Sequence, residues 1–172
     1  AVTLKDISFT ANAGEILAIA GIAGNGQDEI MAALSGEWRP PSAGVITLDG
    51  QDISHLDPAA RRRFGLGVVP EERNGHAAIQ SLSLSDNALL TNHSLGKTVR
   101  HGVVDKTVTK SVAEDVIKKF DVRAPSNDPI AASLSGGNLQ KFVVGREITK
   151  SPRVLVVAQP TWGVDVGAAV FI

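Results

Sequence analysis

Five apolar residues, Ile16 to Ala20, run directly into Gly21-Ile22-Ala23-Gly24-Asn25-Gly26, and a helical pattern follows from Asp28 to Leu34. A buried strand, a glycine loop and a helix in immediate succession form one half of an α/β unit. A second unit of related kind lies far along the chain. There, Ser135-Gly136-Gly137 opens a helix over 138–148, and Pro152 precedes Val154-Leu155-Val156-Val157-Ala158, which ends at the polar Gln159-Pro160-Thr161 turn. A continuous apolar run of this length suits a central parallel strand covered on both faces. Together the two units predict an α/β core, with the Gly21 to Gly26 loop and the Val154 to Ala158 strand converging at one edge.

Composition narrows the reading. The 172 residues suit one domain. Aromatic residues make up only 4%, so the core must be built mainly from Val, Leu, Ile and Ala. Lys plus Arg number 17 against 18 Asp plus Glu, a net charge of −1, and this balance offers no broad basic field for nucleic acid or anionic lipid. Cysteine is absent, which removes disulfide and thiolate chemistry. No apolar run reaches the roughly 18 residues of a membrane span.

Between the two units the pattern is mixed. Val2 to Phe9 has an imperfect two-residue rhythm and predicts an edge strand. Trp38 to Gly44 is loop material, Val45 to Leu48 a short strand closed by Asp49-Gly50, and Pro58 opens a short basic helix. Gly65 to Pro70 predicts a buried strand whose polar exit, Glu71-Glu72-Arg73-Asn74-Gly75, is read either as a functional loop or as an ordinary surface turn. Ser85-Asp86-Asn87 starts a helix, and Val108, Val112, Val116 and Phe120 mark a longer one over 105–120. A mainly helical subdomain over about 72–150 is therefore expected inside a single domain spanning 1–172. The chain opens within a strand pattern and stops within a helical one, as expected of part of a longer polypeptide.

Two segments carry chemistry. Gly21, Gly24 and Gly26 have the spacing of a phosphate-binding loop, in which glycines let backbone N–H groups approach an anion at a helix N-terminus. A working loop of that kind continues with Lys for the outer phosphates and a Ser or Thr hydroxyl for Mg²⁺, whereas this chain has Gln27 and Asp28. Taken alone, the loop reads equally as a tight strand-to-helix turn with no ligand. In Leu134 to Lys141 (LSGGNLQK), Ser135 can cap a helix while Gly136 and Gly137 admit close approach of an anion. Such a helix start is common in isolation.

Taken in order, these segments resemble the nucleotide-binding domain of an ABC transporter, specifically the second, degenerate ATPase half of the tandem subunits that serve bacterial simple-sugar and nucleoside importers. LSGGNLQK matches the ABC signature, and Pro152 to Asp165 matches the Walker B strand and D-loop. Val68 to Arg73 falls in the Q-loop region, and Gly21 to Asp28 falls at Walker A. The resemblance implies a P-loop NTPase-like ABC ATPase core, incomplete at its C-terminus, with an antiparallel β portion and a helical subdomain. It places Gly21, Gly24, Asn25, Gly26, Gln27, Asp28, Glu71, Ser135, Gly136, Gly137, Gln140, Gln159 and Asp165 at nucleotide-contacting positions.

Departures from the family pattern shape the implied function. Ala158 and Gln159 stand where the active family has a metal-binding Asp and a catalytic Glu, and Glu71 stands for the Q-loop Gln. No catalytic residue and no metal ligand is therefore expected at this chain's own site, which would hold nucleotide weakly or not at all. The switch His of the family follows the D-loop on a further strand, and His55, His76, His93 and His101 all lie too early. Trp162 would lie in the dimer seam or be a plain surface aromatic. ABC halves meet head to tail, so the resemblance implies ATP and Mg²⁺ at a composite site with an intact partner half. It also implies permease subunits, no direct nucleic acid, and peripheral attachment at the cytoplasmic face of a bacterial membrane. A non-hydrolysing regulatory nucleotide-binding module is the alternative, and a non-transport ABC ATPase of DNA repair or translation is a third.

Overall fold

Local sequence accounts for most helix boundaries. In the computed structural model, residues 3–39, 44–96 and 98–172 are described, and the chain forms two compact units, Ala1–Asp57 and Pro58–Ile172. In the first unit, helix α1 (Gln27–Ser35) carries Asp28 and Glu29 in its first turn, where acidic side chains complement the helix dipole. It stops at Gly36, whose φ of 87° belongs to the left-handed region that glycine adopts without penalty. Ile30, Met31 and Leu34 are half-buried. Strands β1 (Thr47–Leu48) and β2 (Gln51–Asp52) pair antiparallel across Asp49-Gly50. Both turn residues have positive φ, the backbone twist that a two-residue hairpin requires.

Two strands expected in this unit are absent. Residues 3–9 and 16–20 form no ladder; Ile7 and Phe9 are each 47% exposed and Ile16 is 95% exposed, and Val2 lies outside the described residues. An extended segment becomes a strand only when another backbone takes up its N–H and C=O groups. The apolar run Ile16 to Ala20 supplies the side chains for a sheet, but no ladder forms on it among the described residues. The loop expected over Trp38 to Gly44 lies partly outside the described residues.

The second unit is built on a parallel pair. Helix α2 (Pro58–Phe64) leads into β3 (Leu66–Val69), which is buried throughout. Strand β6 (Val154–Val157) pairs with it in parallel, from Leu66 opposite Val154 to Val69 opposite Val157. The expected direction of β6 holds, but its burial does not: Val154 is exposed and the next three residues are half-buried, because α2 and α5 pack chiefly on β3. Between the strands lie α3 (Leu84–Asn92), α4 (Lys106–Lys119) and α5 (Gly136–Ile148), capped by Ser83, Asp105 and Ser135 in turn; α6 (Val166–Phe171) follows β6 with Asp165 as its cap. An antiparallel hairpin, β4 (Val99–Arg100) and β5 (Val103–Val104), turns through His101-Gly102 in a stretch that the sequence left unassigned.

The core of this unit joins Val69 of β3 to Leu84 and Ala88 of α3, Ala113 and Val116 of α4, and Leu139, Phe142 and Val143 of α5. These are aliphatic residues plus one phenylalanine, as the low aromatic content requires. Helices α4 and α5 meet at Gly145, where an added Cβ would lie 2.6 Å from the Phe120 ring.

Candidate functional site

In the first unit the glycine loop is closed by its own side chains. The Asn25 N–H donates to Gln27 Oε1 (3.2 Å), while Gln27 Nε2 and Asn25 Nδ2 both donate to the Ile22 carbonyl (3.1 and 3.0 Å). A Cβ on Gly21 would lie 2.5 Å from Gln27 Nε2, so the amide of Gln27 lies across the loop. Gly24 and Gly26 take positive φ, and Gly26 is the residue before α1, with no side-chain cap. Asp28 is exposed in the first helical turn.

In the second unit the structure gathers three segments around the N-terminus of α5. The Ser135 hydroxyl accepts from Asn138 N (3.4 Å) and Asn138 Nδ2 (2.9 Å), which fixes the first turn. Ser135 and Gly136 are exposed, whereas Gly137 is buried: a Cβ there would come within 3.0 Å of both Ala168 Cβ and Asp165 Oδ2. Small size at 137 is thus required by α6 of the same chain. Gln140, 2% exposed, donates from Nε2 to the Pro160 carbonyl (2.9 Å). Asp165 Oδ1 accepts from Ala168 N (3.0 Å), and this backbone bond holds the Asp165 carboxyl below its ordinary pKa. Ser135, Gly136, Gly137, Gln140 and Asp165 are therefore neighbours in space.

Glu71 and Gln159 leave the C-terminal ends of the paired strands β3 and β6, and both are exposed. Gln159 has a φ of 42°, and Trp162 N donates back to its carbonyl at 3.0 Å, making a tight turn directly after β6.

Sequence reasoning gave no role to two features. Arg73, in the loop after β3, donates from Nη1 to the carbonyls of Gly136 and Gly163 (3.3 Å each) and from Nη2 to Gly163 (3.4 Å). Behind α5 lies a buried charge network. Arg146 donates to Glu147 Oε1 (2.9 Å), to the Asn87 carbonyl (3.0 Å) and to the Ala77 carbonyl (2.9 Å), and Lys150 Nζ lies 2.7 Å from Glu147 Oε2. The signal for it was three charges in the otherwise apolar stretch from Phe142 to Lys150.

An α/β fold whose glycine loop precedes one helix, and whose Ser-Gly-Gly helix start meets the turn after a parallel strand, defines an ATP-binding cassette. The chain belongs to the ABC transporter family, whose model matches residues 4–162. It is 39% identical over 170 residues to the guanosine import ATP-binding protein NupO of Bacillus subtilis, covering 99% of this chain and 33% of that protein. It is 41% identical over 164 residues to the ribose import ATP-binding protein RbsA of Lacticaseibacillus paracasei, covering 95% of this chain and 32% of that protein. The chain thus spans about a third of the length of these relatives. The dimeric bacterial ABC transporter cassette MJ0796 superposes with a TM-score of 0.76 at 21% identity, covering 98% of this chain and 71% of that one. No helix among the described residues is long and apolar enough to cross a membrane.

Proposed function

We propose that this chain is the second, degenerate ATPase half of a sugar or nucleoside importer, and that its Ser135-Gly136-Gly137 helix start completes an ATP site whose Walker motifs belong to a partner half. Similarity to guanosine and ribose import proteins supports the substrate class. The observation that carries the division of labour is the contrast between the two glycine segments. At Gly21 to Gln27 the residues do not fit a magnesium-bound triphosphate: the Asn25 N–H is spent on Gln27 Oε1 and Gln27 Nε2 on the Ile22 carbonyl, and neither a cation nor a hydroxyl stands at 27 or 28. At α5, Ser135 and Gly136 stay exposed at a capped helix N-terminus, which favours an anion. Bound there, magnesium ATP supplies the phosphoryl group for hydrolysis, and this chain's part is to present backbone N–H groups to the outer phosphate.

The remaining roles follow the same reading. The helical region over 72–150, with the loop over 71–80, meets the permease at the cytoplasmic face of the membrane, and the chain attaches there peripherally. The test is asymmetry in the complete transporter. Gly136→Asp puts a carboxylate beside the transferred phosphoryl group and lowers ATPase by about 100-fold or more, whereas Gln27→Ala changes it by less than about threefold. Equal rates for wild type and Gly136→Asp, in assemblies with unchanged melting, overturn the assignment.

A further inference from the structure

Arg73 spans two carbonyls that no other side chain brings together among the described residues. Its guanidinium bonds Gly136 O, in the first turn of α5, and Gly163 O, in the turn after β6. Space has been left for it: Gly163 has a φ of 62°, and a Cβ there would lie 2.7 Å from Arg73 Nη2. At Gly136 a Cβ would lie 3.4 Å from Arg73 Nη1. Gln140 makes a second tie from α5 to the same turn, through the Pro160 carbonyl. The two ties differ in origin. Gln140 belongs to α5 itself, whereas Arg73 comes from the loop that follows β3.

We propose that Arg73 is a positioning residue: it sets the Gly136 end of α5 against the turn over 160–163, so that both are presented to the partner half's ATP in one fixed arrangement. This rests on the reading of α5 as the completing element of the partner's site. Guanidinium suits the task because it stays charged and carries several donors in a rigid fork. Its charge beside the first turn of α5 also adds to the positive end of the helix, where the phosphate would lie. Since Arg73 sits in the 71–80 loop, a shift of that loop reaches the helix start through one side chain.

The experiment uses the full-length protein in its assembled transporter. Arg73→Ala is expected to lower maximal ATPase by about tenfold while the KM for ATP moves less than about threefold, as expected for misplacement of a group that acts at the transition state. Arg73→Lys is expected to regain only a small part of the loss, because the shorter ammonium keeps the charge but lacks the fork that spans both carbonyls. Amide exchange at Trp162 should quicken about tenfold in Arg73→Ala while Phe142 to Val144 keep their protection. Wild-type ATPase and unchanged Trp162 exchange in Arg73→Ala overturn the proposal. Loss of protection at Phe142 to Val144 does so too. Gly136→Asp separates the two levels: if it leaves ATPase intact, the underlying reading falls; if it abolishes ATPase while Arg73→Ala is silent, only the role of Arg73 falls.

Discussion

Lys150 Nζ, just past the end of α5, sits 2.7 Å from Glu147 Oε2, whose carboxylate is wholly buried. Burial alone would raise the Glu147 pKa, but Arg146 and Lys150 facing it, with the Thr91 hydroxyl, hold it below the ordinary value. Removing the carboxylate charge leaves two buried cations facing each other. Glu147→Gln is expected to cost about 3–5 kcal/mol of unfolding free energy, measured by denaturant titration.

The same network makes stability rise with pH at both ends of the pH scale. Because Glu147 is depressed in the folded state, the stability it contributes is present above its unfolded pKa and is lost as pH falls through the folded value. Lys150 is lowered to about 8, mainly by burial. Between about 8 and its unfolded value near 10.4 the unfolded chain binds more protons, so this group makes stability rise with pH there. Lys150→Met is expected to flatten that rise in a series of melts across the alkaline range, and the Lys150 side-chain signal should titrate at about 8 in heteronuclear NMR.

Hydrolysis by the isolated chain is expected to be absent. On the proposed reading, Gln27, Asp28, Ala158 and Gln159 take the positions of cation, hydroxyl, metal ligand and base, which leaves nothing to preorganise phosphoryl transfer. Phosphate release with Mg²⁺ and ATP should equal the buffer control. Turnover that disappears on mutation around Gly21 to Gln27 would contradict the assignment.

Gly145→Ala sets propensity against packing. Alanine in mid-helix is favoured over glycine by about 1 kcal/mol, yet the new Cβ would meet Phe120 at 2.6 Å and Val116 Cγ1 at 3.0 Å. Overpacking typically costs about 1–3 kcal/mol, and both neighbours are held in the helix interface, so the net effect is expected to be a lower melting temperature. A raised one would mean that the Phe120 ring moves freely.

Asn87 offers a polar counterpart. Fully buried, it accepts from Ile79 N (2.8 Å) and donates to the Ile79 and Ser83 carbonyls (2.9 and 3.0 Å), so one side chain closes the segment leading into α3. Asn87→Leu keeps the bulk and strands these groups, with an expected loss of about 2 kcal/mol or more in urea titration. Faster exchange at the Ile79 amide should accompany it.

Which features could be read in advance follows from how local their causes are. Helix α4 announces itself by Val108, Val112 and Val116 at fourfold spacing, and the caps Asp105 and Ser135 by bonds within three residues. The direction of β6 followed from its apolar run, but its half-exposure depends on which helices cover it, and those are set by distant residues. Ile16 to Ala20 shows the same limit more sharply, being apolar enough for a strand yet in no ladder among the described residues. At the site, Ser135 to Gly137 stood out by residue type. Arg73 did not, because its carbonyl partners lie 63 and 90 residues away and an arginine in a polar loop looks like any solvated charge.

The parallel register of β3 and β6 has a consequence for how such a chain can vary. Val69 lies opposite Val157, and the bond from Ala158 N to Val69 O (2.9 Å) closes the ladder, so both outgoing loops are counted from one common line. One residue inserted between Val69 and Arg73, or deleted between Val157 and Gly163, displaces one loop against the other by about 3.3 Å, more than the guanidinium can absorb while keeping both carbonyls. Exposed side chains in these two stretches, Glu72 and Trp162 among them, are free to diversify. The lengths of the stretches are not, and tolerance to gaps should fall sharply there even where tolerance to substitution is high.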